Sequence, residues 1–244
     1  IFVIGKRPSG SSDPYALRRN LNGIIQIIWQ NNFDLKFDKL IAKLIDHWHS
    51  EFNALNINHQ KILNDLTEFS RQRIISHLEE SSYDKEIISS TCESENIRHL
   101  NILDIADLKN RIETLQKFKL ENDSASLINI ISRYTKLANK GNLENDKYTC
   151  EDKINIELFE KKSEIDVFNF LQKLENLLNT KDWEYHQLIN LFQKNTQILF
   201  EIFDNNNGVL VMTEDLKLRN NRLNLLALVR NYSLLIADFT LLNS

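Results

Sequence analysis

Arginines and asparagines crowd the end of this chain. Arg219, Arg222 and Arg230 stand with Asn220, Asn224 and Asn231 in a stretch patterned as a single helix. At 100° per residue, Arg219 and Arg230 lie eleven positions apart and return to within about 20° of each other, with Arg222 about 60° from Arg219. Leu218, Leu225, Leu228, Tyr232, Ile236 and Phe239 fall roughly opposite, as a core stripe. Guanidinium groups grip phosphates bidentately or stack on bases, and carboxamides read base edges. An arginine strip flanked by asparagines is therefore equipped to face RNA. The same residues admit a second reading: a polar face paired to acids such as Glu214 and Asp238, with Arg222 and Arg230 holding the helix against its neighbours.

Other chemistry-bearing residues point less far. Lys6 and Arg7, beside the loop Gly5 to Ser12, are candidates for a phosphate-backbone contact. The loop does not match the phosphate-cradling pattern Gly-x-x-x-x-Gly-Lys-[Ser/Thr], because its lysine precedes the second glycine. His47 and His49 flank Trp48, but positions i and i+2 of a helix point about 200° apart, so the two imidazoles are not expected to share a metal. Asp46-His47 alone does not make the ligand set of a helical phosphohydrolase. Cys92 and Cys150 lack zinc spacing and read as free thiols of a reducing compartment. The acidic pairs Glu79-Glu80 and Glu93/Glu95 read as charged surface. No Ser/His/Asp or Cys/His constellation stands out, so no catalytic residue, metal or cofactor is expected here.

The elements that must carry these residues are helices. The 244 residues contain only 5 glycines and 2 prolines, and both prolines, Pro8 and Pro14, sit near the start. Long stretches without proline, rich in Leu, Ile, Lys, Glu and Asn, favour an all-α fold built as a helical bundle. Asp13-Pro14 signals a helix start, followed by an apolar stripe Leu17, Leu21, Ile24 and Ile28 to about Gln30. A second helix carries Phe37, Leu40, Ile41, Leu44, Ile45 and Trp48, and a third runs from Ile62 through Leu66, Phe69 and Ile74 to Leu78. Further helices are expected over Glu86–Cys92, Leu103–Phe118, Ala125–Lys140, Glu164–Leu178, Trp183–Phe203 and from about Asp215 to Leu241. Lys140 to Lys153 reads as a charged loop, and Asn205-Asn206-Asn207-Gly208 as a turn.

A polar stretch from Ser94 to Leu100 suggests a boundary, with 1–96 as the tail of an upstream helical domain and 97–244 as a second helical domain. The formal net charge is -4, so any RNA contact must come from local patches. No run of about 18 apolar residues occurs, and no membrane span is expected. Met212 is the only methionine, which reads as a fragment of a longer chain.

Two blocks carry a family resemblance. The first is Gly5-Lys6-Arg7-Pro8-Ser9-Gly10-Ser11-Ser12-Asp13-Pro14-Tyr15-Ala16-Leu17-Arg18-Arg19. The second gathers Phe203-Asp204, Val209 to Asp215, Leu218 to Leu226 and Ala237 to Leu242. In order and spacing they resemble the C-terminal part of the β subunit of bacterial-type glycyl-tRNA synthetase. Asp215-Leu216-Lys217-Leu218-Arg219 is similar to the Asp-Ala-Leu-Arg signature of the helical anticodon-binding module of arginyl-type synthetases, one residue longer between Asp and Leu-Arg. Lys136-Leu137-Ala138-Asn139 resembles the Arg-Val-Ala-Asn that ends an earlier helix of that module, which adds Lys136 to the RNA candidates.

The resemblance implies that 97–244 approaches the anticodon arm of glycine tRNA. It implies a partner α subunit, in a hetero-tetramer of two α and two β chains, that makes glycyl-adenylate from glycine with ATP and magnesium. It implies a cytoplasmic or plastid-stromal setting, with no DNA and no membrane as partner. This stretch is expected to position tRNA and to do no chemistry itself. A helical protein-interaction scaffold and a degenerate helical phosphohydrolase are the rivals.

Overall fold

Asp13 sets the first helix from outside it. Its two carboxylate oxygens accept from the backbone N–H groups of Leu17, at 2.8 Å, and Arg18, at 2.9 Å. The turn that brings it there passes through Ala16 in the left-handed region, at φ 52°. The computed structural model describes residues 2, 13, 15–51, 58–81, 83–97 and 100–243. Pro14, Lys6, Arg7 and the Gly5 to Ser12 loop lie outside the described residues. Every regular element among the described residues is helical, so the all-α expectation holds.

The chain forms two compact units. The first comprises residues 1–88 and 101–110, the second 89–100 and 111–244. Because the chain passes from one to the other more than once, no single cut point separates them.

The first unit holds α1 (Leu17–Asn31), α2 (Phe37–Glu51), α3 (His59–Glu80), α4 (Lys85–Ile88) and the opening turns of α5 (Ile105–Lys119). Helices α1 and α2 both pack on α3. Leu21, Ile25 and Ile28 of α1, Phe37, Ile41 and Ile45 of α2, and Ile62, Ile74 and Leu78 of α3 are buried. Helix α1 ends where Asn32 adopts φ 51° and returns its N–H to the Ile28 carbonyl, the left-handed stop that asparagine tolerates. Helix α3 begins where the Asn58 side chain accepts from Lys61 N at 3.0 Å. The expected stripes are partly rotated: Ile24, Leu44 and Trp48 are 40%, 48% and 49% exposed.

The second unit is built around one helix. It contains the remainder of α5, then α6 (Ser124–Ala138), α7 (Lys162–Leu178), α8 (Tyr185–Lys194), α9 (Thr196–Glu201) and α10 (Leu216–Leu234). Helix α10 packs against both α6 and α7, and α9 also touches those two. Leu127, Ile131, Phe170, Phe192, Leu225 and Leu228 fill the centre, each at most 1% exposed.

Three boundaries differ from the sequence expectation, each for a local reason. The helix expected over Trp183–Phe203 breaks at Asn195. There the Asn195 amide donates to the Leu191 carbonyl at 2.7 Å, and Thr196 Oγ1 donates back to Phe192 and Gln193. The helix expected to reach Cys92 widens after Ile88 into a π turn, Ser89–Glu93. The helix expected to reach Leu241 ends at Leu234, and a short 3₁₀ turn, Phe239–Leu241, follows Asp238. The Asp204–Gly208 turn requires its glycine, since a Cβ at Gly208 would sit 2.3 Å from the Asp204 carbonyl oxygen.

Candidate nucleic-acid interface

Helix α10 starts under a cap. Asp215 Oδ1 accepts from the N–H groups of Lys217 at 2.8 Å and Leu218 at 3.1 Å, and these bonds hold its carboxyl below the usual carboxylate range. From Asn221 to Leu234 every residue except Asn224 is buried. An amphipathic helix should leave its polar strip in water. Here the strip meets the irregular segment 139–161 and the first turn of α7 instead.

That segment has little regular structure, so its backbone carbonyls need donors from elsewhere. The polar side chains of α10 supply them. Asn224 Nδ2 donates to the Lys153 carbonyl at 2.9 Å. Asn221 clasps Asn155 twice: Asn221 Nδ2 donates to the Asn155 carbonyl at 3.0 Å, and Asn155 N donates to Asn221 Oδ1 at 2.7 Å. Asn231 Nδ2 reaches the carbonyls of Glu144 and Lys147 at 2.7 and 2.6 Å. The Tyr232 hydroxyl donates to the Tyr148 carbonyl.

The buried arginines belong to the same arrangement, which corrects the expectation that the Arg/Asn side is the open one. Arg230 is 3% exposed; Nη1 donates to Asn139 Oδ1 at 3.0 Å and Nη2 to the Leu143 carbonyl at 2.7 Å. Burial pulls its pKa down to about 10, still charged at neutral pH. Arg222, also 3% exposed, donates through Nε to Glu164 at 2.9 Å and through Nη2 to Glu160 at 2.7 Å. Burial opposes its charge, and the bonds from Glu164 and Glu160 outweigh that and raise its pKa. Arg222 and Arg230 therefore point into the protein, away from any RNA-facing strip. The acids suggested by sequence are not their partners. Asp238 instead accepts from Ser94, Asn96 and Thr240. Burial works to raise the Asp238 carboxyl, but those hydrogen bonds prevail and hold it low.

The remaining candidates stay at the surface. Asn220 and Lys136 are exposed, while Arg219 and Asn224 are half-buried. Leu225, Leu228 and Phe239 are buried as expected. The two ring pairs around His47 go to different neighbours: His47 lies against Trp48 and His49 edge-on against His59, with centroids 4.2 Å apart. Among the described residues no group of three or more His, Cys, Asp or Glu is placed to hold a metal ion.

An open pocket of about 360 Å³ lies where the start of α10 meets the segment. Residues Asp152 to Asn155 and Leu158 form one wall; Lys217, Asn220, Asn221 and Asn224 form the other. Two of its residues, Lys153 and Lys217, escaped the sequence reading. Yet Lys217, Asn220 and Asn224 are spaced i, i+3 and i+7, within about 60° on a helix, a signal eclipsed by the neighbouring arginines. Lys153 could not have been placed there from sequence, because 64 positions separate it from Lys217.

Residues 1–93 match the family model described as the glycyl-tRNA synthetase beta subunit. Over 98% of its length the chain is 31% identical to a glycine–tRNA ligase beta subunit of Trichodesmium erythraeum, covering 34% of that protein. A Picosynechococcus beta subunit is 32% identical over the same shares of both chains. A Buchnera aphidicola beta subunit is 30% identical, with 99% of this chain aligned to 33% of the relative. The chain thus spans about a third of the length of the curated relatives it matches. Over nearly its whole length the chain is thus similar to one region of bacterial-type glycyl-tRNA synthetase beta subunits.

Proposed function

We propose that this chain is a tRNA-contacting region of a glycine–tRNA ligase beta subunit, positioning glycine tRNA for aminoacylation by an α subunit. The second unit is the anticodon-arm side of that reading. The observation that carries it is the pocket at the start of α10. Two lysines, Lys153 and Lys217, stand beside the carboxamides of Asn220 and Asn224. Neither lysine has an ion-pair partner among the described residues. Asp152 lines the same pocket and Lys217 acts electrostatically on Asp215, but neither acid is within ion-pair distance, so both ammonium groups stay available for phosphate and the carboxamides for base edges.

The chain contributes binding energy, which raises the rate at a distant centre by orienting the substrate. In this reading ATP and magnesium chemistry belongs to the α subunit, within an assembly of two α and two β chains, and the region alone is inactive. A soluble, cytoplasmic or plastid-stromal, setting goes with the reading; the described helices include none long and apolar enough to cross a membrane.

The test uses the full beta subunit containing this region, assembled with its α subunit. Replacing Lys153 and Lys217 together by Ala should weaken filter-retained binding of glycine tRNA several-fold. It should also flatten the dependence of log affinity on log salt by roughly 1 to 2. The melting temperature should stay the same, because neither ammonium holds the fold. Unchanged affinity and salt slope would sink the assignment. They would favour the protein-interaction scaffold, for which Leu210 and Leu216, 71% and 60% exposed, are the supporting observation.

A further inference from the structure

An asparagine followed by glycine is a chemically labile pair, because no Cβ keeps the glycine nitrogen away from the asparagine carboxamide. The sequence holds two such pairs, Asn22-Gly23 and Asn207-Gly208, and the fold treats them differently. Asn22 and Gly23 lie inside α1, where the glycine nitrogen belongs to the helix ladder, and Asn22 Oδ1 is buried. Asn207 sits instead in the exposed turn after Asp204, and its carboxamide makes no hydrogen bond among the described residues. Only its main chain is held. The Asn207 N–H reaches Asp204 Oδ2 at 3.3 Å, just beyond the usual range, and the Asn207 carbonyl accepts from Ser163 Oγ at 2.8 Å.

The residue after Asn207 cannot be one that shields it. A Cβ at position 208 would sit 2.3 Å from the Asp204 carbonyl oxygen and 2.8 Å from the Ile202 carbonyl oxygen, so the turn itself demands the glycine. Gly208 N–H donates to the Asp204 carbonyl at 3.0 Å, so attack by this nitrogen waits on opening of the turn. Opening a surface turn costs little. Freeing Gly23 means unravelling a helix whose Leu21 and Ile25 are in the core.

We infer that Asn207 is a site of spontaneous deamidation, with water as the co-reactant and aspartate and isoaspartate as the products. When the turn opens, the Gly208 nitrogen loses its proton to solvent and attacks Asn207 Cγ. The Cγ–Nδ2 bond breaks, and ammonia leaves with a proton taken from solvent, which closes a five-membered succinimide. Water then opens the ring. Addition at Cγ restores the ordinary peptide bond and leaves aspartate; addition at the main-chain carbonyl carbon routes the backbone through Cγ and leaves isoaspartate. Water is consumed, ammonia is released, and nothing is oxidised or reduced. Either product places a new carboxylate in the turn that the Asp204 carboxylate caps, and isoaspartate also lengthens the chain by one methylene. The altered turn leads into the loop that delivers the Leu210 carbonyl to Arg222 at 3.2 Å. This site is independent of the tRNA reading.

The test ages the full beta subunit, assembled with its α subunit, at physiological temperature and maps its peptides by mass spectrometry. Enzymatic methylation of isoaspartate is the second readout. Asn207 should convert at least about tenfold faster than Asn22, because opening free energies within one fold differ by more than a single decade requires. In urea, where both pairs are unfolded, the two rates should converge. Asn205 and Asn206, each followed by another asparagine, should lag behind Asn207. Asn207→Gln, whose longer side chain closes no five-membered ring, should silence the site without disturbing the exposed turn. If Asn207 in the folded assembly lasts as long as Asn22, the turn protects it and the inference falls. It falls equally if isoaspartate forms in this turn of Asn207→Gln at the wild-type rate.

Discussion

Between Leu216 and Asn220, α10 turns three side chains into water and keeps two half-buried. Between Asn221 and Leu234 the same helix leaves only Asn224 half-buried and buries the rest. Both stretches are rich in arginine and asparagine. In the second, those side chains replace a missing backbone partner: they bind the carbonyls of segment 139–161, which has little ladder of its own, and the carboxylates of Glu160 and Glu164. In the first, the side chains of Arg219 and Asn220 make no hydrogen bond among the described residues. The difference teaches that a polar strip on a helix is a statement about donors, not about solvent. It turns inward where irregular backbone comes within hydrogen-bond reach, and stays open where, as at Asn220, residues 152–155 stand off across a pocket.

Breaking the buried half should cost the most at Arg222. The Arg222→Ala change leaves Glu164, at 0% exposure, without its guanidinium, and Glu164 retains only the N–H groups of Glu160 and Lys161. Removing one partner of a buried pair typically costs about 3–5 kcal/mol. Urea unfolding of the variant checks it, and a loss below about 1 kcal/mol would show that water reaches Glu164.

A purely apolar deletion on the same half sharpens the comparison. Leu228 is fully buried, so Leu228→Ala should cost roughly 2–5 kcal/mol, within the range for a well-packed leucine. An unchanged melting temperature would mean that the packing of α10 against α6 and α7 is wrong.

What the sequence made legible follows from how far each signal reaches. Asp215 as a helix start, the Asn205 to Gly208 turn and the burial of Leu225, Leu228 and Phe239 are local or periodic, and all three are found in the structure. The orientation of Arg222 and Arg230 was not legible. Their partners Glu160 and Asn139 lie 62 and 91 positions away, in a stretch with no periodicity of its own. Nor was the break at Asn195, where apolar spacing continues while an Asn-Thr pair competes for the backbone. Of the candidate site, Asn220 and Asn224 were visible. Lys153 was not, because only the fold brings it to them.

The buried half should also respond to alkali. Burial raises the Tyr232 phenol well above its ordinary value, the Tyr148 phenol to about 12 and the Cys150 thiol to about 12. An acid whose pKa is higher folded than unfolded stabilises the fold fully below its unfolded value. That contribution is lost as pH climbs towards the folded value, because the unfolded chain sheds its proton first. Arg230 acts in the opposite sense, its guanidinium lowered to about 10, but it is one group against three. Stability should therefore fall between about pH 9 and pH 12. Tyr232→Phe should shallow that fall. A stability flat to pH 11 would place these rings in water.

One asparagine on each half isolates the comparison most sharply. Asn231→Ala removes the donor to the part-buried carbonyls of Glu144 and Lys147 and the acceptor of the buried Arg230 Nε, and should cost about 1–3 kcal/mol, the penalty for a buried group left unsatisfied. Asn220→Ala removes the same side chain eleven positions earlier, where no hydrogen bond of the fold depends on it. Its effect on stability should stay within about 0.5 kcal/mol, as for an exposed substitution away from caps and cores. Chemical denaturation of the two variants side by side measures the difference directly. Equal losses would mean that Asn220, too, holds the fold together. The open pocket would then be a packing feature rather than a place where a ligand is met.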